Sequence, residues 1–367
     1  MKKTLLLFIM CALLPRVAEA QTLDGAFAVS DIFYDDFYSS YAFNVSLVNS
    51  TSTYTAYDLD ICLPAGISVK KAGTNTNMVY MPIDDSIYPF TSGRTGKTYF
   101  HVISSNNLDG NVLRIACASN ENKNFERTNG DLFEVCITID ESALTTSFSP
   151  KPIVKLSGLN LTTSAAVKYV PADFACRPFT TGIPTERTLP VNVSAANKVG
   201  TLILPFDTEL PSGLKAYSCN ATEGDLLTLT PAESIEACTP YIVYAENGYS
   251  GNLSGTAELP DASNVTDVFT NGLLTGLLTS GVVNTGFILQ NKGEGPVFYD
   301  AEGVNFSLPA GRCYLTSSGS SVKAFQFAFD DADGIEMVNG QWSIHMTSVV
   351  AKSSHPSTEY IYKVHTR

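Results

Sequence analysis

The sequence predicts an all-β protein of two β-sandwich domains. Three observations carry that reading. Short runs rich in Val, Ile, Leu, Phe and Tyr recur along the chain, Gly, Pro, Asn, Ser and Thr punctuate them, and helical periods are few. The 367 residues suffice for two full cores at roughly 150 residues each.

The chain opens with Met1-Lys2-Lys3, an apolar run from Thr4 to Leu14, and Ala18-Glu19-Ala20 before Gln21. A charged start, an apolar stretch too short to span a bilayer and an Ala-x-Ala site read as an export signal over residues 1–20. Cys11 follows Met10 and lacks the small residue expected before a lipid-modified cysteine. The mature chain is expected in the extracellular space or on the outer cell surface, with the periplasm as the alternative compartment. Loss of Lys2, Lys3, Arg16 and Glu19 moves the formal charge from −13 to −15. An acidic chain without Lys/Arg clusters disfavours nucleic acid and anionic membranes as partners. No later stretch reaches the roughly 18 apolar residues of a membrane helix, so the protein is not expected to span a membrane.

The expected first domain runs over residues 21–175. Strands are predicted at Ala42 to Val48, Thr98 to Ile103, Val112 to Ala118, Phe133 to Ile139 and Ile153 to Leu156. Tyr57-Asp58-Leu59-Asp60-Ile61-Cys62-Leu63 alternates with period two, which places Tyr57, Leu59, Ile61 and Leu63 on one face and both aspartates on the other. Pro64-Ala65-Gly66 turns the chain into Ile67-Ser68-Val69. Asp109-Gly110 and Asn129-Gly130 are read as hairpin turns, because these pairs tolerate positive φ. Arg177-Pro178, Gly182-Ile183-Pro184 and Leu189-Pro190 then interrupt any regular element, and a linker is placed at 176–190.

The second domain, 191–334, is expected to hold strands at Val199 to Leu204, Tyr241 to Tyr244, Phe287 to Leu289 and Cys313 to Leu315. An internal echo sets Ile235 to Ile242 against Leu308 to Leu315, with Ala and Tyr at equal offsets, each a turn feeding a strand. Residues 335–367 form an atypical tail.

Leu59 to Ile67, Arg94, His101, the run Asp109 to Cys117 and Gly130 to Val135 resemble the cohesin-like domains of secreted Bacteroidota proteins. Gly200 to Asp207, Leu214 to Tyr217, Thr239-Pro240-Tyr241 and Pro309 to Arg312 resemble a domain often paired with them. The resemblance implies a jelly-roll-like sandwich related to cohesins and carbohydrate-binding modules. Members of that class bind dockerins or polysaccharides without catalysis.

Candidate chemistry is sparse. Seven cysteines follow the signal, with no Cys-x-x-Cys, which argues against zinc; Cys219 and Cys238 are the local candidates for a disulfide. Thr91 to Thr98 nearly spells a phosphate-binding loop but lacks the first Gly and the following helix. His101 lies on a predicted strand with no Gly-x-Ser-x-Gly to supply a nucleophile, and is read as structural. His345, His355 and His365 sit in the tail. Asp35-Asp36, Asp84-Asp85 and Asp330-Asp331-Ala332-Asp333 read as solvated loops, with a structural calcium as the alternative. No catalytic residue, no metal ligand and no cofactor is assigned, and the protein is expected not to be an enzyme.

Phe33-Tyr34-Asp35-Asp36-Phe37-Tyr38-Ser39-Ser40-Tyr41 holds five aromatics among acids and serines, too many for one strand face to bury. Aromatic faces beside polar groups are how glycan sites are built, so Tyr34, Asp36, Phe37, Tyr38 and Tyr41 are the candidate ligand-binding residues. The expected function is a secreted or cell-surface, non-catalytic binding or adhesion protein that recognises polysaccharide or another glycan through its first domain. The alternative is a structural spacer or a protein-protein interaction subunit of a surface assembly.

Overall fold

The structure, a computed structural model, describes residues 23–82, 87–94, 96–179, 182–258, 265–293, 295–301, 303–316, 323–329, 335–338 and 341–344. The expected signal segment, Asp84, Asp85, Asp330, Asp331, Asp333 and the three tail histidines lie outside these residues. The described residues fall into two compact units: the chain up to Leu189 together with Leu253–Asp267, and Pro190–Asn252 together with the chain from Val268 onward.

In the first unit the elements run β1 (Ala26–Val29), β2 (Phe33–Asp35), β3 (Ser40–Val48), β4 (Ala56–Cys62), β5 (Ile67–Val69), β6 (Lys71–Ala72), β7 (Thr76–Asn77), β8 (Val79–Tyr80), β9 (Phe90–Gly93), β10 (Gly96–Tyr99), β11 (His101–Leu108), β12 (Val112–Ser119), β13 (Gly130–Ile139), α1 (Glu141–Thr145), β14 (Val154–Thr162), β15 (Lys168–Tyr169) and β16 (Phe174–Cys176). One sheet has the order β1-β3-β13-β5, with β2 paired to β3 and β8 to β13. The other has the order β11-β12-β4-β14-β15, with β16 on β14. Alternate residues of the long strands point inward except at the irregularities in β13 and β14, and one core fills the space between the sheets. Tyr57, Leu59, Ile61 and Leu63 are buried together, as the alternation of β4 requires. On the other face Asp60 receives a bidentate pair from Arg114 at 2.7 Å, and Asp58 accepts from Asn160.

Turn chemistry explains most of the connections. Gly110 and Asn111 take φ of 75° and 60° in the β11–β12 hairpin. The Asn111 amide then donates to the carbonyls of Leu63, Pro64 and Ile67, which ties that hairpin to the turn before β5. Asn129-Gly130 behaves differently from the hairpin turn expected of it. The chain there passes from β12 in one sheet to β13 in the other, and the Asn129 amide exchanges two hydrogen bonds with the Ser50 backbone. The strand expected over 98–103 divides at Phe100 into the end of β10 and the start of β11. Around the near-match at 91–98, Phe90–Gly93 pairs antiparallel with Gly96–Tyr99, and the element that follows is the strand β11 rather than a helix.

The stretch 176–190, expected as a linker, ends inside a strand, Glu186–Val193, which pairs with Tyr249–Thr256. Arg187, Leu189, Val191 and Val193 are buried while Glu186, Thr188, Pro190 and Asn192 are exposed. Proline is tolerated in such a two-stranded ribbon, where its nitrogen needs no ladder partner.

Three buried charged side chains, Arg177, Asp267 and Arg187, anchor the first unit. Arg177 pairs with Asp267 at 2.6 Å, with side chains 4% and 2% exposed, and Asp267 also accepts from the Ser149 hydroxyl. Arg187, 1% exposed, donates to the Pro150 carbonyl at 3.0 Å. These bonds tie Asp267 and Arg187 to the 149–151 segment.

The second unit is built twice. Its main sheet runs Val199–Leu202, Tyr241–Tyr244, Lys215–Glu223, Leu226–Ala232, Ala324–Phe329, Pro296–Asp300, Phe287–Asn291, Arg312–Leu315, Leu274–Leu277, Val268–Asn271. On either side of Ala324–Phe329 the same four strand roles recur in reverse order. The register repeats at a spacing of 73 residues: Thr201 faces Ile242 and Leu274 faces Leu315, while Thr208 faces Ile235 and Gly281 faces Leu308. Cys238 and Gly311 occupy equivalent turns with φ of 56° and 75°, and their N–H groups donate to Leu204 and Leu277. The echo read in the sequence therefore marks a structural duplication. Both halves contribute to one core, Val199, Tyr217, Leu227 and Ile242 from one and Leu274, Phe287, Phe298 and Leu315 from the other. The Cys313 N–H bonded to the Thr201 hydroxyl joins the two halves. Cys219 and Cys238 form no disulfide.

Replacing Asp267 by Ala leaves the Arg177 charge buried without its carboxylate, and is expected to cost about 3–5 kcal/mol in chemical denaturation of the first unit. His101 provides a second test. It is 3% exposed between the rings of Tyr88 at 5.2 Å and Phe125 at 5.0 Å. Burial holds its pKa below the ordinary histidine value, more than the nearby Thr55 and Lys123 backbones offset. The unfolded chain then binds the extra proton first, so stability is full above about pH 6.5 and falls as pH drops toward the folded value. Glu134, held above its ordinary value, contributes in the opposite direction over the same range, so the His101 effect is read as a difference: from pH 8 to 5.5 the melting temperature of the wild type should fall relative to that of His101→Phe.

Candidate functional site

The site grows out of the outer face of the β3–β13 pair. In β3, Phe43, Val45 and Leu47 enter the core, so Ala42, Asn44 and Ser46 point the other way. Directly across, Asp131 faces Ser46, Phe133 faces Val45, Glu134 faces Asn44 and Cys136 faces Ala42. A regular strand would send residues 131 and 134 to opposite faces. The register shift between Asp131 and Phe133 absorbs Leu132 as an extra residue, and both carboxylates emerge on the outer face. Leu132 and Phe133 are both fully buried.

The aromatic wall comes from β2, its turn and β8. Phe33 faces Ala42 and Asp35 faces Ser40, so both share the outer face. In the turn that follows, the Asp35 carboxylate accepts from the Tyr38 N–H at 3.0 Å. The Lys70 ammonium donates to the carbonyls of Tyr38 and Ser39 at 3.0 and 2.9 Å. Tyr80, opposite Glu134, stacks on Tyr38 with centroids 4.2 Å apart and planes 5° from parallel. Phe37 meets Tyr38 edge-on at 4.8 Å and is 79% exposed. Ala42, Met78 and Cys136 form a buried floor.

The resulting cleft has a volume of about 330 Å³. Phe33, Phe37, Tyr38, Tyr80, Met81 and Pro82 make its apolar side; Asp35, Asn44, Asp131 and Glu134 make its polar side. Burial first, and then the neighbouring Asp35 carboxylate, push the Glu134 carboxyl up to about 7. Burial likewise pushes the Tyr38 hydroxyl and the Cys136 thiol up to about 12, so both are neutral at physiological pH. Asp131 accepts from the Asn44 amide at 3.1 Å and from the Ser46 hydroxyl. Among the described residues no Lys or Arg forms an ion pair with Asp35, Asp131 or Glu134.

Of the residues expected to bind ligand, Phe37 and Tyr38 line this cleft. Tyr34 and Tyr41 face each other across the β2–β3 pair, 5.4 Å apart and edge-on, on the opposite side of the strands. Tyr41 also packs beneath Gly182, where an added Cβ would lie 2.5 Å from its ring. Asp36 is exposed in the turn and lies outside the lining. Sequence reasoning missed Asn44, Tyr80, Asp131 and Glu134, which come from three other segments. The adjacent pair Leu132-Phe133 between two acids was the available signal, since it breaks a period-two pattern.

A second cleft of about 470 Å³ lies among Leu63, Val69, Lys71, Asn107, Leu108 and Asn111. It has no aromatic wall, and Asn111 is already engaged by backbone carbonyls. His101 borders neither cleft. Among the described residues no three His, Cys, Asp or Glu side chains gather closely enough to hold a metal ion.

No protein-family model matches the chain, and no curated protein matches it. Among solved structures it is similar to a type I cohesin-dockerin complex from Clostridium thermocellum, at 13% identity and a TM-score of 0.28, covering 43% of this chain and 96% of that one. A cohesin module of a family 33 glycoside hydrolase from Clostridium perfringens gives 12%, 0.28, 42% and 94% in the same terms. The major pilin subunit of Bacillus cereus gives 10%, 0.25, 83% and 69%. At such distances these likenesses assign no ligand or partner to this chain.

An exposed wall residue should be dispensable for folding. Phe37→Ala is expected to change stability by less than about 0.5 kcal/mol, whereas Phe133→Ala, at the bulge, should cost about 3–5 kcal/mol. Denaturant titration of the two variants measures both.

Proposed function

We propose that the chain is an exported, non-catalytic binding protein that recognises a glycan through the cleft on the outer face of β3 and β13. The observation that carries this reading is the pairing of a solvent-facing aromatic wall, Phe37 beside the parallel Tyr38–Tyr80 stack, with an acid and amide wall. Sugar rings present apolar C–H faces and rims of hydroxyls, which such a cleft complements with stacking and hydrogen-bond acceptors. A volume of about 330 Å³ sits at the small end of the roughly 300–1,000 Å³ of ligand clefts and fits a short saccharide. Among the described residues no helix is long and apolar enough to cross a membrane.

A second reading, a protein-interaction subunit of a surface assembly, is favoured by one observation. The eight-residue strand β11 ends its sheet, with Val102 54% and Leu108 36% exposed. Open strand edges are templates for a partner's strand.

A glycan-array screen of the full chain beside Phe37→Ala separates these. Selective binding that weakens about tenfold in the variant, close to 1.4 kcal/mol, is expected. An array blank at millimolar glycan, or binding indifferent to Phe37, overturns the glycan reading and directs the search to strand-pairing protein partners.

A further inference from the structure

Resting on the glycan reading of this cleft, we propose that its ligand carries a free, positively charged amine: an amino sugar without an acetyl group. Asp35, Asp131 and Glu134 all line the cleft, and no basic residue lines it. Lys70, whose charge is felt at Cys136 beneath the cleft, has its ammonium turned to the backbone carbonyls of Tyr38 and Ser39. The other titratable groups facing the cleft, Tyr38, Tyr80 and Cys136, are neutral or would add negative charge on ionising.

The protein thus leaves three acids uncompensated in a partly enclosed place. Burial, and then the neighbouring Asp35 carboxylate, favour the protonated form of Glu134. A neutral sugar supplies hydroxyl donors but does not balance the charge. A sulfated or uronic-acid glycan adds to the repulsion. An ammonium group supplies three donors and the missing positive charge, and charge-assisted bonds are roughly twice as strong as neutral ones. The same cation sits well against the Tyr38 and Tyr80 faces. Asp131 is prepared for that role, because Asn44 and Ser46 fix its two oxygens and leave each a lone pair for the ligand.

The test measures calorimetric binding of the full chain at pH 7 to a tetrasaccharide of β-1,4-linked glucosamine with free amines and to the same tetrasaccharide fully N-acetylated. Asp35→Asn and Glu134→Gln are measured alongside, with circular dichroism and melting to show that they fold. The free-amine sugar should bind at least tenfold tighter, lose affinity as salt rises, and come within threefold of the acetylated one in the two variants. Equal or tighter binding of the acetylated sugar overturns the cationic ligand while the glycan reading stands. Binding of neither sugar, with a blank array, overturns both. Binding of an oligolysine peptide alone overturns the amino-sugar assignment and makes the occupant a protein side chain. Preference for the amine that survives in both variants also overturns the role given to these acids.

Discussion

The cleft depends on one constraint, the two-residue period of β13 and its single interruption at Leu132. Strand geometry sends alternate side chains to opposite faces, so a core strand can present at most every second residue to solvent. The chain needs Val135 and Ile137 inward to close the sandwich, and that phase fixes Glu134 outward. Without an extra residue the same phase would drive Asp131 into the core opposite Leu47, where an unpaired carboxylate is costly. The bulge resolves the conflict by hiding Leu132 and letting the ladder with β3 resume. Core packing and the polar wall are therefore two results of one local irregularity, which is a common arrangement at binding sites.

The rest of the first unit makes that face rigid. Two polar anchors hold its turn, the Lys70 ammonium on the carbonyls of Tyr38 and Ser39 and the Asp35 cap on Tyr38, while elsewhere in the unit the Asn111 and Asn129 amides bridge backbone segments far apart in sequence. Rigid support matters for a shallow aromatic site, because every side chain already fixed before binding reduces the ordering cost on association. The second unit reaches stability by another route. Its two related halves share one core.

Much of the fold was legible in the sequence, because the signals involved are local. The alternation of Tyr57 to Leu63, the Asp109-Gly110 hairpin and the runs at 112–118 and 241–244 each act within a few residues. The duplication was visible only as a faint echo: equivalent positions such as Cys238 and Gly311 share a backbone conformation rather than a side chain. The site was half legible. The aromatic run from Phe33 to Tyr41 supplies part of one wall of the cleft, but pleating divides it, so Phe33, Phe37 and Tyr38 separate from Tyr34 and Tyr41. The opposing wall of Asn44, Asp131 and Glu134 is joined to it only by strand pairing across some 90 residues of chain, as the Asn44–Asp131 bond at a separation of 87 shows. The strand through Glu186–Val193 was obscured because Pro190 reads as a break where the ribbon tolerates it.

The account stands most directly on where a ligand touches. Backbone amide shifts of the full chain, followed by NMR during titration with a saccharide that binds, locate that contact residue by residue. Shifts confined to the turn 35–39, to Tyr80 and to Asp131–Glu134 are the predicted result. Shifts centred on Lys71 and Asn107–Asn111, on the second unit, or spread without a focus would contradict it.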